Sequence, residues 1–376
     1  MEFRIIDLPA LAVSIQLSAF IASGGPDEYH ALLHVKGDGL TFAQQLDHLQ
    51  QACHELCCQV LPHAHIIMRR YLLSDVANQA SAVCQRLVSD GCSLGAVSMV
   101  GQPPLDGSKI ALWIYLATGV AVEEYVGETI CTWGGVRHFF TTNLQSAQGG
   151  SSSQTRHILE NYEAHLASRG MTLADNCLRT WFFIRDVDTN YKGMVEARCG
   201  NFTMQHLTPD THYIASTGIG GQPIQTESRV QMDAYSAKGL LPHQIHYLKA
   251  PTHLNPTYQY GVTFERGTSI DYADRRHLII SGTASIDNKG SVVHPGDIEA
   301  QTCRMLQNVE ALLHEGGASA SDIVQAIIYL RDVADYATVS RCIGQRLPMM
   351  PHVITLAPVC RPAWLVEMEC MAIIPT

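Results

Sequence analysis

The sequence predicts an α+β fold: three tandem helix–strand–helix–strand units closing into a single-chain pseudo-trimer, sheets inside and helices outside. Two observations and one physical constraint carry this expectation. First, TRHILENYEAHLASRGMTLADNCLRTWFFIRDV, from Thr155, runs parallel to TCRMLQNVEALLHEGGASASDIVQAIIYLRDV, from Thr302. Leu159 meets Leu306, Asn161 meets Asn308, Glu163 meets Glu310 and Gly170 meets Gly317; after a one-residue shift Arg185-Asp186-Val187 meets Arg331-Asp332-Val333. Self-similarity over this length marks a duplicated structural unit. Second, a fainter copy lies upstream, where Tyr71-Leu72 and Asp75-Val76-Ala77 echo Tyr329-Leu330 and Asp332-Val333-Ala334. The constraint is that one such unit leaves a sheet face bare, whereas three units can cover those faces around a shared axis.

The elements follow in order. Leu46, Leu49, Cys53, Leu56 and Val60 recur at helical spacing and predict an amphipathic helix over 42–61, with a strand from His65. In the third copy Met305, Leu306, Val309, Leu312 and Leu313 form one apolar helix face. Asp297, after His294-Pro295-Gly296, is the expected N-cap, and Gly316-Gly317 the stop. Residues 323–330 are rich in β-branched side chains and predict a strand. A second helix over 335–347 and a last strand over 365–374 complete the unit. The expected divisions are 1–120, 121–235 and 236–376. The alternative is two related domains behind an unrelated N-terminal one. A closed set of three is expected to be a monomer, with a higher oligomer left open.

Composition narrows the function. Apolar residues make up 46% of the 376 and charged residues 16%, a globular balance. A formal charge of −10 argues against nucleic-acid partners, which need clustered Lys and Arg, but leaves room for a small anionic substrate. The start, Met1-Glu2-Phe3-Arg4, lacks the pattern of a signal peptide, and no apolar run is long enough to span a membrane, so a cytoplasmic location is expected. The twelve scattered cysteines read as free thiols. Cys53, His54, Cys57, His63 and His65 cluster, but nothing completes a tetrahedral ligand set, so no metal site is expected.

The last strand carries the chemistry. In Leu365-Val366-Glu367-Met368-Glu369-Cys370-Met371-Ala372, alternation sends Val366, Met368, Cys370 and Ala372 to the helices. Glu367 and Glu369 then share the opposite face, about 7 Å apart. The second copy has Gln231 at the Glu367 position, and the first is apolar around Ile110-Ala111-Leu112-Trp113. A carboxylic acid in one of three related clefts points to one specialised site; the other reading is an edge strand with solvated acids. Ser216-Thr217-Gly218-Ile219-Gly220-Gly221 reads as a glycine-rich turn able to aim N–H groups at an anion, or as a plain tight turn. Much of 223–261, after the strand at Val230, reads as an insertion without counterpart, either a binding loop or an ordinary connection. It carries His243, His246, Tyr247, His253 and Tyr258.

These residues resemble the Rid (YjgF-like) superfamily, through Ser281-Gly282-Thr283-Ala284, Asn308, Tyr329-Leu330-Arg331-Asp332 and Val366-Glu367-Met368-Glu369. More specifically they resemble its chorismatase branch. Arg179-Thr180-Trp181, Arg198, Thr217-Gly218-Ile219-Gly220, Phe264-Glu265-Arg266 and Cys360-Arg361 carry that likeness, in order, from Arg179 to the C-terminus. The resemblance implies sites in clefts between units and cleavage of the enolpyruvyl ether of chorismate, or a related carboxylated ring, without a cofactor. Under it Glu367 is the acid. Arg198, Arg266 and Arg361 take substrate carboxylates, helped by Thr217, Gly218, Gly220, Gly221, Tyr258 and Glu369. The arginine with which Rid imine deaminases hold a carboxylate would fall near Val353 and is absent, so simple imine deamination is not expected. The alternatives are a Rid-like hydrolase of another enamine or enol ether, and a non-catalytic small-molecule binder.

Overall fold

A computed structural model describes residues 1–36 and 39–376. The first unit comprises β1 (Glu2–Leu8), β2 (Val13–Phe20), β3 (Glu28–Val35), α1 (Phe42–Glu55), β4 (Ala64–Leu73), α2 (Val76–Ser89), β5 (Val97–Gly101) and β6 (Ile110–Thr118). The second comprises β7 (Ala121–Tyr125), β8 (Glu128–Trp133), β9 (Val136–Gln145), α3 (Ser151–Ser168), the single turn α4 (Leu173–Asn176), β10 (Cys177–Ile184), α5 (Val187–Met204), β11 (Ala215–Gly220) and β12 (Val230–Lys238). The third comprises β13 (Ile245–Tyr247), β14 (Gly267–Asp271), β15 (Arg275–Ala284), α6 (Ile298–Glu315), β16 (Ile323–Leu330), α7 (Tyr336–Arg346), β17 (His352–Leu356) and β18 (Val366–Pro375). Three six-stranded sheets result, with one strand order used three times: β1-β2-β3-β6-β4-β5, β7-β8-β9-β12-β10-β11 and β13-β14-β15-β18-β16-β17. In each, only the last pair is parallel.

The expected helix–strand–helix–strand unit is thus the second part of a longer one, preceded each time by a three-stranded meander. The segment after β12, read as an insertion without counterpart, contains β13, which holds the edge position of β1 and β7. Only three residues long and not fully buried, β13 leaves no alternation to detect. The helix expected over 42–61 is α1 continued by a π-turn over Leu56–Val60, and Thr41 and Gln44 close a capping box at its start. Asp297 caps α6, its carboxylate accepting from the Ala300 N–H at 3.0 Å.

One glutamine ties each unit together. On the first helix of each, Gln45, Gln154 and Gln301 are buried. Their side-chain oxygens accept the N–H of the residue just before the last strand: Lys109 at 2.7 Å, Arg229 at 2.6 Å and Leu365 at 2.9 Å. Their amide groups donate back to the loop before the helix, at Leu40, Gly149 and His294. By contrast, the matched Asn161 and Asn308 do different things. Asn161 is exposed, whereas Asn308 is buried and donates to the carbonyls of Ala284 and Ile286.

The units join cyclically. Gly101 N–H donates to Gln222 O, Gly220 N–H to Pro358 O, and Leu356 N–H to Pro103 O, at 2.9, 2.9 and 2.8 Å. These three equivalent bonds link unit one to two, two to three, and three back to one. Each junction also buries an ion pair. Arg70 meets Asp233 at 3.0 Å, Arg179 meets Glu369 at 2.8 Å, and Arg275 meets Glu28 at 2.6 Å. Burial works against the Glu28 charge, yet His277, Arg275 and the Tyr115 hydroxyl hold its pKa below the usual carboxylate range. Removing one partner of such a pair leaves the other uncompensated. Arg275→Met is therefore expected to cost about 3–5 kcal/mol of unfolding free energy, read from urea denaturation.

Candidate active site

Strand β18 lies between β15 and β16 in the middle of its sheet, so it is no edge strand. Val366, Met368, Cys370 and Ala372 join the core beneath α6, while Glu367 and Glu369 are buried on the other face. Register fixes the comparison between units. Glu367 pairs with Tyr329, Gln231 with Phe183, and Ala111 with Leu72. The glutamate is particular to the third unit.

Glu367 opens into a cleft between the second and third units. Helix α5 contributes Tyr191 and Arg198, and β11 contributes Ser216, Thr217 and Gly218. From the third unit come Val262, Phe264 and Arg266 ahead of β14, Gly282 and Ala284 on β15, and Cys360, Arg361 and Trp364 ahead of β18. The walls enclose about 490 Å³, open solvent at the mouth included, within the usual range for a small-molecule site. Among the lining residues Glu367 is the one acid, set against three arginines.

Each cation is held by an aromatic ring. The Phe264 ring has the Arg266 guanidinium 5.5 Å from its centre and that of Arg198 at 6.0 Å. Arg198 donates to Ser216 Oγ at 3.3 Å, and Arg266 to the backbone and side-chain oxygens of Asn255. Arg361 stacks 4.9 Å over Trp364. Around the carboxyl the packing requires a glycine. A methyl on Gly282 would stand 2.9 Å from Glu367 Cδ, closer still to its Oε1, and 3.0 Å from Thr217 Cγ2. Thr217 Oγ1 is fixed by the Gly282 N–H at 2.9 Å and by Arg179 at 2.5 Å.

Electrostatics make Glu367 a neutral acid. Burial and then the Glu369 charge raise its pKa to about 8, against the pull of Arg266 and Arg179. Cys360, beside it, is pushed up to about 12 by burial and by Glu367, so its thiol stays protonated at neutral pH and is not a thiolate nucleophile.

Comparisons with known proteins bear on the fold. A family model described as Endoribonuclease L-PSP matches residues 269–374, most of the third unit. A RutC family protein of Pyrococcus abyssi is 38% identical over 60 residues, 16% of this chain and 47% of that protein. The 3-aminoacrylate deaminase RutC of Acinetobacter baylyi is 35% identical over 71 residues, 19% of this chain and 56% of that one. Over most of the chain, the crystal structure of a chorismatase superposes with a TM-score of 0.63 at 19% identity, covering 82% of this chain and 92% of the other. The third unit carries the family match, and the chain shares the fold of a chorismatase over most of its length. The chain spans about half the length of the curated relatives it matches, and the chorismatase likeness, at that identity, is one of fold.

The structure gathers Glu367, Arg198, Arg266, Arg361, Thr217 and Gly218 into one cleft and leaves four expected residues outside it. Glu369 is engaged at the unit junction by Arg179 and by the Trp181 N–H, both at 2.8 Å. The glycine-rich segment is no anion-binding turn. It is strand β11, without left-handed glycines, and two of its N–H groups are committed: Ser216 to Ser281 Oγ, Gly220 to Pro358 O. Gly220 serves close approach, since a methyl there would meet Pro358 within 2.9 Å, and Gly221 abuts Val100 and Phe183. Tyr258 is half exposed in a neighbouring chamber, beyond the shared wall of Phe264 and Arg266. Sequence reading missed Gly282, Tyr191, Phe264 and Trp364 as site residues. Phe264 had a signal, lying two before Arg266 on an extended segment. Among the described residues no group of three or more His, Cys, Asp or Glu is arranged to hold a metal, and no helix is long and apolar enough to cross a membrane.

The raised pKa has a stability consequence. Between its ordinary 4.5 and about 8, Glu367 holds a proton in the folded chain that the unfolded chain releases. Stability therefore falls as pH rises through that window and levels off above it, by at most roughly 5 kcal/mol from this group. Urea denaturation at pH 5 and pH 9 should show Glu367→Gln losing less stability across the interval than the unaltered protein.

Proposed function

We propose that this chain is a chorismatase-like hydrolase that cleaves the enolpyruvyl ether of chorismate or of a related small carboxylated ring. The observation that carries the proposal is a buried, protonated carboxyl facing three arginines in one cleft. An enol ether becomes reactive when its terminal CH₂ carbon is protonated, giving an oxocarbenium ion that water attacks. The hemiketal then collapses to pyruvate and the ring alcohol, so one water is consumed per ether broken. Glu367 supplies the proton to carbon, and a pKa of about 8 keeps it loaded at neutral pH while leaving it acidic enough to give the proton up. Guanidinium groups bind carboxylates in a two-pronged fashion, so Arg198, Arg266 and Arg361 suit a substrate with two of them. The walls of Phe264 and Trp364 suit a ring.

The test is incubation with chorismate, following pyruvate through a coupled assay. Pyruvate release is expected to fall above about pH 8, where Glu367 loses its proton. Glu367→Gln is expected to lower kcat by about 10²–10⁴. Gly282→Ala, which pushes the carboxyl from its place, should lower kcat more than it raises KM. No pyruvate above background at high protein concentration, across several pH values, would exclude chorismate as substrate. Chorismate binding that survives Glu367→Gln, without turnover by either protein, would favour a non-catalytic binder.

A further inference from the structure

One connection in the third unit is far longer than its two equivalents. Between β1 and β2 the meander turns through residues 9–12, and between β7 and β8 through Val126 and Gly127. Between β13 and β14 the chain runs from Leu248 to Arg266. A connection of that length is uncommon unless it carries a task of its own. This one is firmly placed. Leu248, Ala250 and Leu254 belong to the core, the Leu248 N–H donates to Gly267 O at 2.8 Å, and Thr257 Oγ1 donates to Phe264 O.

With Pro209, Thr211 and Tyr213 of the second unit, this connection encloses the chamber that holds Tyr258, about 810 Å³ with the solvent at its mouth. That is the size of a small-molecule site. Phe264 and Arg266 line both this chamber and the cleft of Glu367. The remaining lining is largely apolar and aromatic, and a ligand can reach it: Tyr258 is 47% exposed and Tyr247 half-buried. The Tyr247 ring is fixed by stacking on His212, their centres 4.4 Å apart.

Two opposite charges line the same chamber without meeting. Glu265 is half-buried, with one carboxylate oxygen accepting the Tyr213 N–H at 2.8 Å and its own N–H donating to Ile214 O at 3.0 Å. Burial raises its pKa, while the Tyr213 N–H and then the Lys249 ammonium pull the other way. Lys249 is exposed, near enough to act on that carboxyl and, among the described residues, in no ion pair. Arg266 is turned to the Asn255 oxygens and the Phe264 ring. A simple anion in the chamber would meet Glu265, and a simple cation would meet Lys249. A molecule carrying both charges satisfies both.

We propose that this chamber binds an aromatic α-amino acid, with its ammonium on Glu265, its carboxylate on Lys249 and its ring among Tyr247, Leu254 and Tyr258. Charge-assisted hydrogen bonds fix the two ends of the zwitterion, and the tyrosine rings and the leucine take its apolar part. The site does not depend on the reaction proposed for Glu367 or on what that cleft binds.

The probe is L-phenylalanine, titrated into the full chain and followed by calorimetry. Saturable binding is expected. 3-Phenylpropionate, which lacks the ammonium, and 2-phenylethylamine, which lacks the carboxylate, should each bind about tenfold more weakly. Lys249→Met, at an exposed position that folding tolerates, should weaken L-phenylalanine by about tenfold and erase its advantage over 2-phenylethylamine. Glu265→Gln should erase the advantage over 3-phenylpropionate, and Lys249→Met decides the matter if Glu265→Gln does not fold. Glu367→Gln should bind L-phenylalanine unchanged. The proposal is overturned by the absence of saturation up to millimolar probe, or by loss of binding in Glu367→Gln. It is equally overturned if either analogue binds as tightly as L-phenylalanine, or if Lys249→Met binds as the unaltered chain does.

Discussion

The contact between Arg179 and Glu369 joins two units and bears directly on the cleft between them. Arg179 belongs to the second unit and Glu369 to the third, and both are buried where the two sheets meet. The same guanidinium reaches Thr217 Oγ1 and Ser281 Oγ, so it also places the threonine beside the Glu367 carboxyl. The Trp181 N–H completes the hold on Glu369. A charge fixed there acts on its neighbour two residues along the strand, and Glu367 keeps its proton partly because Glu369 is near. One ion pair thus performs two tasks, joining units and tuning an acid. Separating them by mutation is difficult, because a buried pair broken on one side leaves a stranded charge.

The same economy shapes the other junctions. Inward faces of the three sheets carry polar side chains that no unit satisfies alone: Asp233 needs Arg70 and Ser98 from the first unit, and Glu28 needs Arg275 and His277 from the third. Buried polar groups of this kind favour one arrangement of the sheets, since a slipped register would leave them unpaired. The cyclic backbone bonds at Gly101, Gly220 and Leu356 then fix where the strand ends meet. The clefts lie between these rigid seams. Their differing contents are side-chain substitutions on a common frame.

Much of this was legible in the sequence. The paired helix and strand at Thr155 and Thr302 gave the duplication, and strict alternation in 365–372 placed Glu367 on the face opposite the helices. The meander strands were not legible. Two of them, β13 and β7, are short and partly exposed, and edge strands carry little pattern. The glycines of 216–221 misled because a glycine tolerated for close approach looks the same as one required for a turn. Glu369 misled for a different reason: its partner lies 190 residues away, and no local spacing announces such a pair. The matched asparagines proved unequal in role, while the glutamines at 45, 154 and 301, which do share one, went unnoticed within three otherwise diverged helices.

The covalent linkage of the three units changes what a mutation can do. In an assembly of identical subunits every substitution is made three times at once, in all clefts, and any harm is tripled with any gain. Here Ala111, Gln231 and Glu367 occupy one structural position but three codons, so each was free to drift under its own selection. A cleft could be changed without disturbing the glutamate in another. A single chain of three units makes each cleft an address that can be rewritten by itself.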